Sequence, residues 1–268
     1  MMRRLVLAAL AVAFVAPLAW MVAVSLQPPG RGLVNGFAFP DGVHPENYLA
    51  ALRTMEGFPR MLLNTVFVTV LSVAGQVFCC GLAGYALAVL RFPGRDALFL
   101  LVLATMMLPP QVLAVPQFME WRALGAVDTF WPLVLPTWLG GAPFFVFLFR
   151  QFFLSVPRSL VDAARLDGCG HFAVFTRVLL PLARPAVGAV AVFTFLAAWN
   201  DYWAPLLYLN RAEHQTLTLG LAAFTQMTRV EVELLLAATS IVLAPCLIVF
   251  FLAQRWFLQG VRLQAGKG

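Results

Sequence analysis

Charge is what this sequence lacks most. Asp, Glu, Lys and Arg make up 11% of its 268 residues and hydrophobic residues 62%, whereas a water-soluble domain carries about 25% charged and about 45–50% apolar residues. A water-soluble fold of this length cannot hide so much apolar surface, so the solvent has to be lipid; the mean hydropathy of +0.86 agrees. Cysteine is scarce as well. The four are Cys79, Cys80, Cys169 and Cys246. None has metal-ligand spacing, and the adjacent pair points to different sides of a helix, which argues against a disulfide framework and a metal site and leaves reduced packing residues. No phosphate-binding loop occurs, since Gly266-Lys267-Gly268 lacks the required context, and neither a nucleophile elbow, a zinc-binding helix nor a catalytic triad is recognisable. A transport or binding role is therefore expected rather than an enzyme. The net charge of +6 is not gathered into a face as nucleic-acid binding would need, but scattered at the ends of apolar runs.

Those runs define the organisation. A membrane-crossing helix needs about 20 mainly apolar residues. Spans are predicted over 5–26, 61–90, 97–118, 130–153, 185–209 and 234–257. The first run follows Arg3 and Arg4 like a signal peptide, but it exceeds the usual apolar core of about 7–15 residues and lacks a convincing cleavage site, so it is read as an uncleaved span. Arg91-Phe92-Pro93-Gly94-Arg95-Asp96 is a tight polar turn between the second and third. Pro109, Pro110 and Pro116 predict a kink in the third, with freed carbonyls near a water-filled path. The runs are too long and too unbroken for a β-barrel. Of the 18 Lys and Arg residues, 12 fall in one set of loops and 6 in the other. The basic-side rule then places both termini and the loop 154–184 in the cytoplasm. The expectation is one all-α transmembrane domain over 1–268.

Loop 154–184 carries the most local information. Ser159 and Asp162 have capping-box spacing, and Gly168 is a natural left-handed terminator, so a short helix is expected from about Ser159 to Asp167. A turn and a second amphipathic piece toward Leu180 follow. Leu160, Ala163, Ala164 and Asp167 fall near one face, shallow because of its alanines. Such a helix suits either docking of a soluble partner or lying as a linker on the membrane surface; helix chemistry alone leaves both open.

Asp162-Ala163-Ala164, three residues, Gly168, nine residues, Val178, one residue and then Leu180-Pro181 resembles the EAA loop of bacterial ABC-importer permeases. That family's pattern begins Glu-Ala-Ala and has Ile where Val178 stands. Asp162 keeps the charge on a side chain one methylene shorter. Pro45-Glu46-Asn47-Tyr48, Asn64-Thr65 and Trp199-Asn200-Asp201-Tyr202 with Pro205-Leu206 resemble the carbohydrate-uptake branch, in particular its second permease subunit. The resemblance implies the type I importer permease fold with six transmembrane helices in a bacterial inner membrane. It implies a second permease subunit, two ATP-binding subunits and an extracytoplasmic solute-binding protein as partners, besides membrane lipid. ATP and Mg would be used by the partner ATPase, with no cofactor bound by this chain. Ser159, Leu160, Asp162, Ala163, Ala164, Asp167, Gly168, Leu180 and Pro181 would couple to that ATPase.

Polar residues inside spans are costly and tend to face a bundle interior or cavity. Asn64, Gln76, Gln111, Gln117, Asn200 and Asp201 qualify. Gln76 reads as structural, and Gln111, Asn200 and Asp201 are the candidates for a translocation path. Trp199 to Trp203 reads either as an interfacial aromatic belt or as a sugar-stacking wall. Gly75 with Cys79, and Gly81 with Gly84, have spacings that favour close helix packing. His44, His171 and His214 read as isolated surface residues. The rivals are an ABC permease for a non-sugar solute and an ion-coupled secondary transporter, whose buried carboxylate would have to be Asp201.

Overall fold

The computed structural model describes residues 2–31, 37–39, 42–224 and 231–265, and among them every regular element is helical. Arg229 and Lys267, counted above for orientation, lie outside the described residues. Among the described residues, four helices are long and apolar enough to cross a membrane: Arg4–Ser25, Phe58–Val89, Trp131–Ser155 and Val232–Gln254. Two bent pairs raise the number to six if each counts as one span. The chain divides into two compact units, Met1–Leu62 with Gln215–Ile248 and Leu63–His214 with Val249–Gly268.

In the first unit, α1 (Met2–Ser25) is exposed along nearly its whole length until Ala23, Val24 and Ser25. Its end is closed by α2 (Glu46–Thr54). Asn47, buried, donates from Nδ2 to the carbonyls of Ser25 and Gln27 at 2.9 and 2.7 Å, and the Tyr48 hydroxyl meets Ser25 Oγ at 2.9 Å. The last carbonyls of a helix have no intrahelical donor. The Asn47-Tyr48 pair thus supplies donors where α1 stops.

The second unit is organised on α3 (Phe58–Val89), which starts in the first unit and carries the polar turn at its far end. Thr65, Thr69, Ser72 and Gln76 recur at helical spacing, and each is at most 2% exposed. Gln76 Nε2 donates to Cys80 Sγ at 3.0 Å, in keeping with a structural residue. α3 also packs closely, along a seam, against α6 (Trp131–Trp138) and α7 (Pro143–Ser155). A Cβ added at Gly75 would stand 2.5 Å from the Trp138 ring, and one at Gly84 would stand 2.6 Å from Phe149 Cβ and 2.9 Å from the Arg150 backbone nitrogen. Two side chains tie the seam: Trp138 Nε1 donates to the Leu71 carbonyl at 3.1 Å, and Arg150 Nε to that of Leu87 at 3.2 Å. Phe149, Phe153, Phe175, Leu179 and Val190 form the core beside it.

Two expected spans are broken. The run over 97–118 is not a single kinked helix: α4 (Arg95–Ala104) passes through a 3₁₀ turn at Thr105–Met107, and α5 (Pro110–Ala123) departs at 99°. Leu108 precedes a proline and takes the extended backbone (φ −83°, ψ 118°) which that position favours. Pro109 is extended too, and Pro110 restarts the helix at a position where no N–H is needed. Pro116 interrupts nothing, because α5 continues through it. The run over 185–209 is also shorter than expected. α8 (Arg158–Leu166) is followed by α9 (His171–Leu182), and α10 (Arg184–Trp199) leaves α9 at 82°. The chain stops at Asn200-Asp201 and resumes as α11 (Trp203–Tyr208). The remaining helices are α12 (Leu217–Ala223) and α13 (Val232–Ala265).

Candidate functional site

The loop after α7 turns through Val156 and Pro157, both extended, and Pro157 leads straight into α8. The capping-box expectation at Ser159 and Asp162 is corrected here. No side chain caps α8, and Ser159 already lies inside its first turn. Proline has a backbone angle suited to helix entry and no N–H to satisfy, so the start falls one residue upstream, at Arg158. The nearby Ser155 hydroxyl instead bonds back to the Phe152 carbonyl at 2.7 Å.

The other end of α8 is fully capped. Gly168 takes φ +83°. Its N–H donates to the Arg165 carbonyl and the Cys169 N–H to that of Ala164, both at 3.0 Å. This reciprocal pair is the Schellman arrangement, which needs the left-handed conformation that glycine adopts without penalty. A Cβ at Gly168 would meet nothing within 4 Å. Backbone conformation, rather than space, constrains this position.

The face expected from Leu160, Ala163, Ala164 and Asp167 divides. Ala164 is 7% exposed and packs into the core with Val161 beside it. Ser159, Leu160, Asp162, Ala163 and Asp167 are exposed. Leu166 is 90% exposed, a large apolar side chain projecting from the last turn; the clue in the sequence was a leucine between Arg165 and Asp167. Two inward residues one turn apart therefore hold α8, and most of its surface points away from its own chain.

Behind α8, α9 changes winding. Val174–Leu179 is π-helical, and Val174, Phe175 and Leu179 are fully buried. Pro181 lacks an N–H and its ring crowds the carbonyl four residues back, that of Arg177; the wider turn lies across that carbonyl. Leu180 is half-buried and Pro181 exposed. Phe175 packs on Tyr85 of α3 with ring centroids 5.6 Å apart, and the Tyr85 hydroxyl meets His171 Nδ1 at 3.1 Å. These contacts tie α9 to the far end of α3. His171 is not isolated, and neither are the other histidines: His44 Nδ1 lies 2.7 Å from Glu46, and His214 Nδ1 lies 3.3 Å from Asp128.

The candidate path residues have these local surroundings. Gln111 is exposed on the first turn of α5. Asn200 Nδ2 donates to the Leu196 carbonyl at 2.8 Å, and Asp201 Oδ1 accepts the Ala204 N–H at 3.2 Å. Asn200 closes one helix and Asp201 opens the next, so the free-energy cost of these polar groups is met by backbone. Trp199 is buried and stacks on Phe195, whereas Tyr202 and Trp203 are exposed.

Two residues that sequence reasoning missed join distant segments. Arg150 donates to Leu87, approaches Asp96 at 3.3 Å, and places its guanidinium carbon 4.0 Å from the Phe99 ring centroid. It thus fastens the polar turn to α7. Asp128, in the α5–α6 loop, takes φ +63°. Its Oδ1 accepts the N–H groups of Asn210 and Arg211 at 2.9 and 3.0 Å, and its Oδ2 meets Arg211 Nε at 2.9 Å. The Arg211 N–H holds the Asp128 carboxyl below the usual carboxylate range; burial opposes this, while Asn210 and His214 add to it. Among the described residues no group of His, Cys, Asp and Glu could hold a metal.

These features define a helical membrane protein with an outward-facing loop helix fastened by a small apolar footing. Residues 81–263 match the family described as the binding-protein-dependent transport system inner membrane component. The arabinooligosaccharides transport system permease protein of Halalkalibacterium halodurans is 32% identical over 96% of this chain and 93% of its own. The sn-glycerol-3-phosphate transport system permease protein of Rhizobium meliloti is 35% identical over 75% of this chain and 72% of its own. A solved bacterial ABC transporter involved in the import of the acidic polysaccharide alginate has a chain of the same fold, with TM-score 0.80, 23% identity and coverage of 96% and 95%. The chain belongs to this inner-membrane-component family and is an ABC transporter permease subunit, a transport component rather than an enzyme.

Proposed function

We propose that the chain is a permease subunit of an ATP-driven importer for a sugar or related polyol, coupled to a separate ATPase through α8. One observation carries the coupling: α8 presents Leu160 and Leu166 outward while only Val161 and Ala164 seat it. In this reading the chain is a single domain that crosses the membrane six times, counting each bent pair as one crossing, with both termini cytoplasmic. A second permease subunit and two ATP-binding subunits, which use ATP and Mg, complete the assembly, and an extracytoplasmic binding protein delivers solute. Ser159, Leu160, Asp162, Ala163, Leu166 and Asp167 meet the ATPase; Gly168 keeps α8 in place, and Leu180 and Pro181 shape the return to α10. Closure of the ATPases pushes α8, and the buried Phe175–Tyr85 packing passes the displacement to α3. The push shifts the population between inward-open and outward-open states only because ATP binds the two with unequal affinity.

Solute choice rests on the relatives, whose names include an oligosaccharide and a phosphorylated polyol. The rival ion-coupled mechanism is weakened by the backbone partner of the carboxylate the sequence offered for it, Asp201. The test is reconstitution of the chain with its second permease subunit, with and without the ATPase. Uptake is expected only with ATPase and ATP; ATP-independent uptake by the chain alone would sink the proposal. Gly168→Arg is expected to assemble poorly or to hydrolyse ATP without uptake, because a left-handed residue other than glycine costs roughly 1–2 kcal/mol. Normal uptake by that variant would remove α8 from the mechanism.

A further inference from the structure

Two adjoining clefts of about 630 and 510 Å³ open beside α8, and Arg91, Phe92 and Arg158 line both. Gly94, Arg95, Asp96 and Ala97 complete the smaller one. Its charge is unbalanced. Asp96 is its one carboxylate, and that group is already approached at 3.3 Å by Arg95 and by Arg150, which is not part of the lining. Arg91 and Arg158 have no ion pair among the described residues, and both are exposed into the concavity. Three guanidinium groups therefore surround a space with one shared countercharge. Planar guanidinium forks match the oxygens of a phosphate better than point charges do.

Position selects the source of that phosphate. Arg91 stands two residues past the end of the apolar helix at Val89, and Arg95 opens the apolar run of α4. The cleft thus stands where hydrocarbon gives way to headgroups. One turn further along α4, Leu98, Leu100 and Leu101 are 47, 64 and 63% exposed, an apolar surface suited to acyl chains. We propose that Arg91, Arg95 and Arg158 hold the phosphate of an anionic phospholipid from the leaflet on the α8 side. The proposal rests on the membrane placement of α3 and α4, and not on which solute is carried. A lipid bound here touches both the α3–α4 turn and the first residue of α8, so headgroup charge would bias the position of the loop helix.

The test uses the full chain purified in detergent. Short-chain phosphatidylglycerol or phosphatidylcholine is titrated in, and bound lipid is counted by native mass spectrometry. A phosphatidylglycerol preference is expected. Arg91→Gln with Arg158→Gln should weaken binding about thirtyfold, the factor for losing two basic residues at a membrane surface. Arg177→Gln with Arg184→Gln removes the same charge elsewhere in the loop region and should leave binding nearly unchanged. If the first double variant folds poorly, Arg91→Gln alone is read, with about a fivefold loss expected. Equal losses in the two double variants, or equal binding of the two lipids, would overturn the site. Displacement by excess inorganic phosphate, with no dependence on acyl chains, would overturn the lipid as its occupant.

Discussion

At the seam of α3, Gly84 lets the Arg150 backbone approach within 2.9 Å of where a side chain would begin, while on α8 Ala163 is exposed. The seam is directed inward: its glycines, the Trp138 and Arg150 hydrogen bonds and the phenylalanines behind them all serve contacts inside the unit. The α8 loop is directed outward, holding itself by Val161, Ala164 and the glycine cap and leaving its largest apolar side chain in the open. The difference separates residues that serve the chain's own packing from residues left at its surface. A small residue in the seam is there because its own chain fills the space; on the loop helix the space beside Ala163 is open.

Gly84→Val is the sharpest way to break that comparison. The neighbours it meets are the Phe149 Cβ and the backbone at Phe149 and Arg150, which cannot yield cheaply, so a loss of about 3 kcal/mol is expected, read as a lower Tm in detergent and less chain in the membrane. Gly81→Ala is its control: the nearest atom, on the Phe175 ring, is 3.4 Å away, and a change within about 0.5 kcal/mol is expected. An unchanged Tm for Gly84→Val would dissolve the seam as described. Leu166→Asp should do the reverse, leaving Tm unaltered while weakening ATPase binding by about 2 kcal/mol or more if Leu166 is an anchor of that interface. Wild-type affinity would move the docking face elsewhere.

Arg150→Met probes the link between the seam and the polar turn. Asp96 is largely exposed, so its ion pair is worth little. The lost donor to Leu87 and the ring contact dominate, for about 1.5 kcal/mol of Tm-derived stability; a similar loss in Asp96→Asn would show that the ion pair matters more than its exposure allows. The smallest effect is expected at Asp128. Its folded carboxyl releases its proton more readily than that of the unfolded chain. The stability it contributes is present above the usual Asp value of about 3.9 and is lost as pH falls below that, through the lower folded value. Tm measured against pH should therefore show a shallower acid limb for Asp128→Asn than for the wild type. Superimposable limbs would show that the clamp contributes no linkage.

Much of this was legible from local sequence. The apolar runs, the Pro93-Gly94 turn and the glycine that ends α8 follow from composition and backbone chemistry within a few residues. The misread elements have non-local or context-dependent causes. Pro109 breaks a span and Pro116 does not, although the same ring chemistry acts at both. Asn200 and Asp201 sit where one helix stops and another starts, a break that lies inside an apolar run in the sequence. Asp128 meets partners more than 80 positions away, a pairing without local signature.

The loop shows where the boundary falls. By itself the sequence determined that α8 exists, that it is short, and that glycine closes it, because helix propagation and capping act over three to five residues. Only the tertiary structure decided which side of that helix faces out. Val161 and Ala164 fill a gap against buried aromatic side chains from other segments, and that choice of neighbour turns Leu160 and Leu166 to the surface.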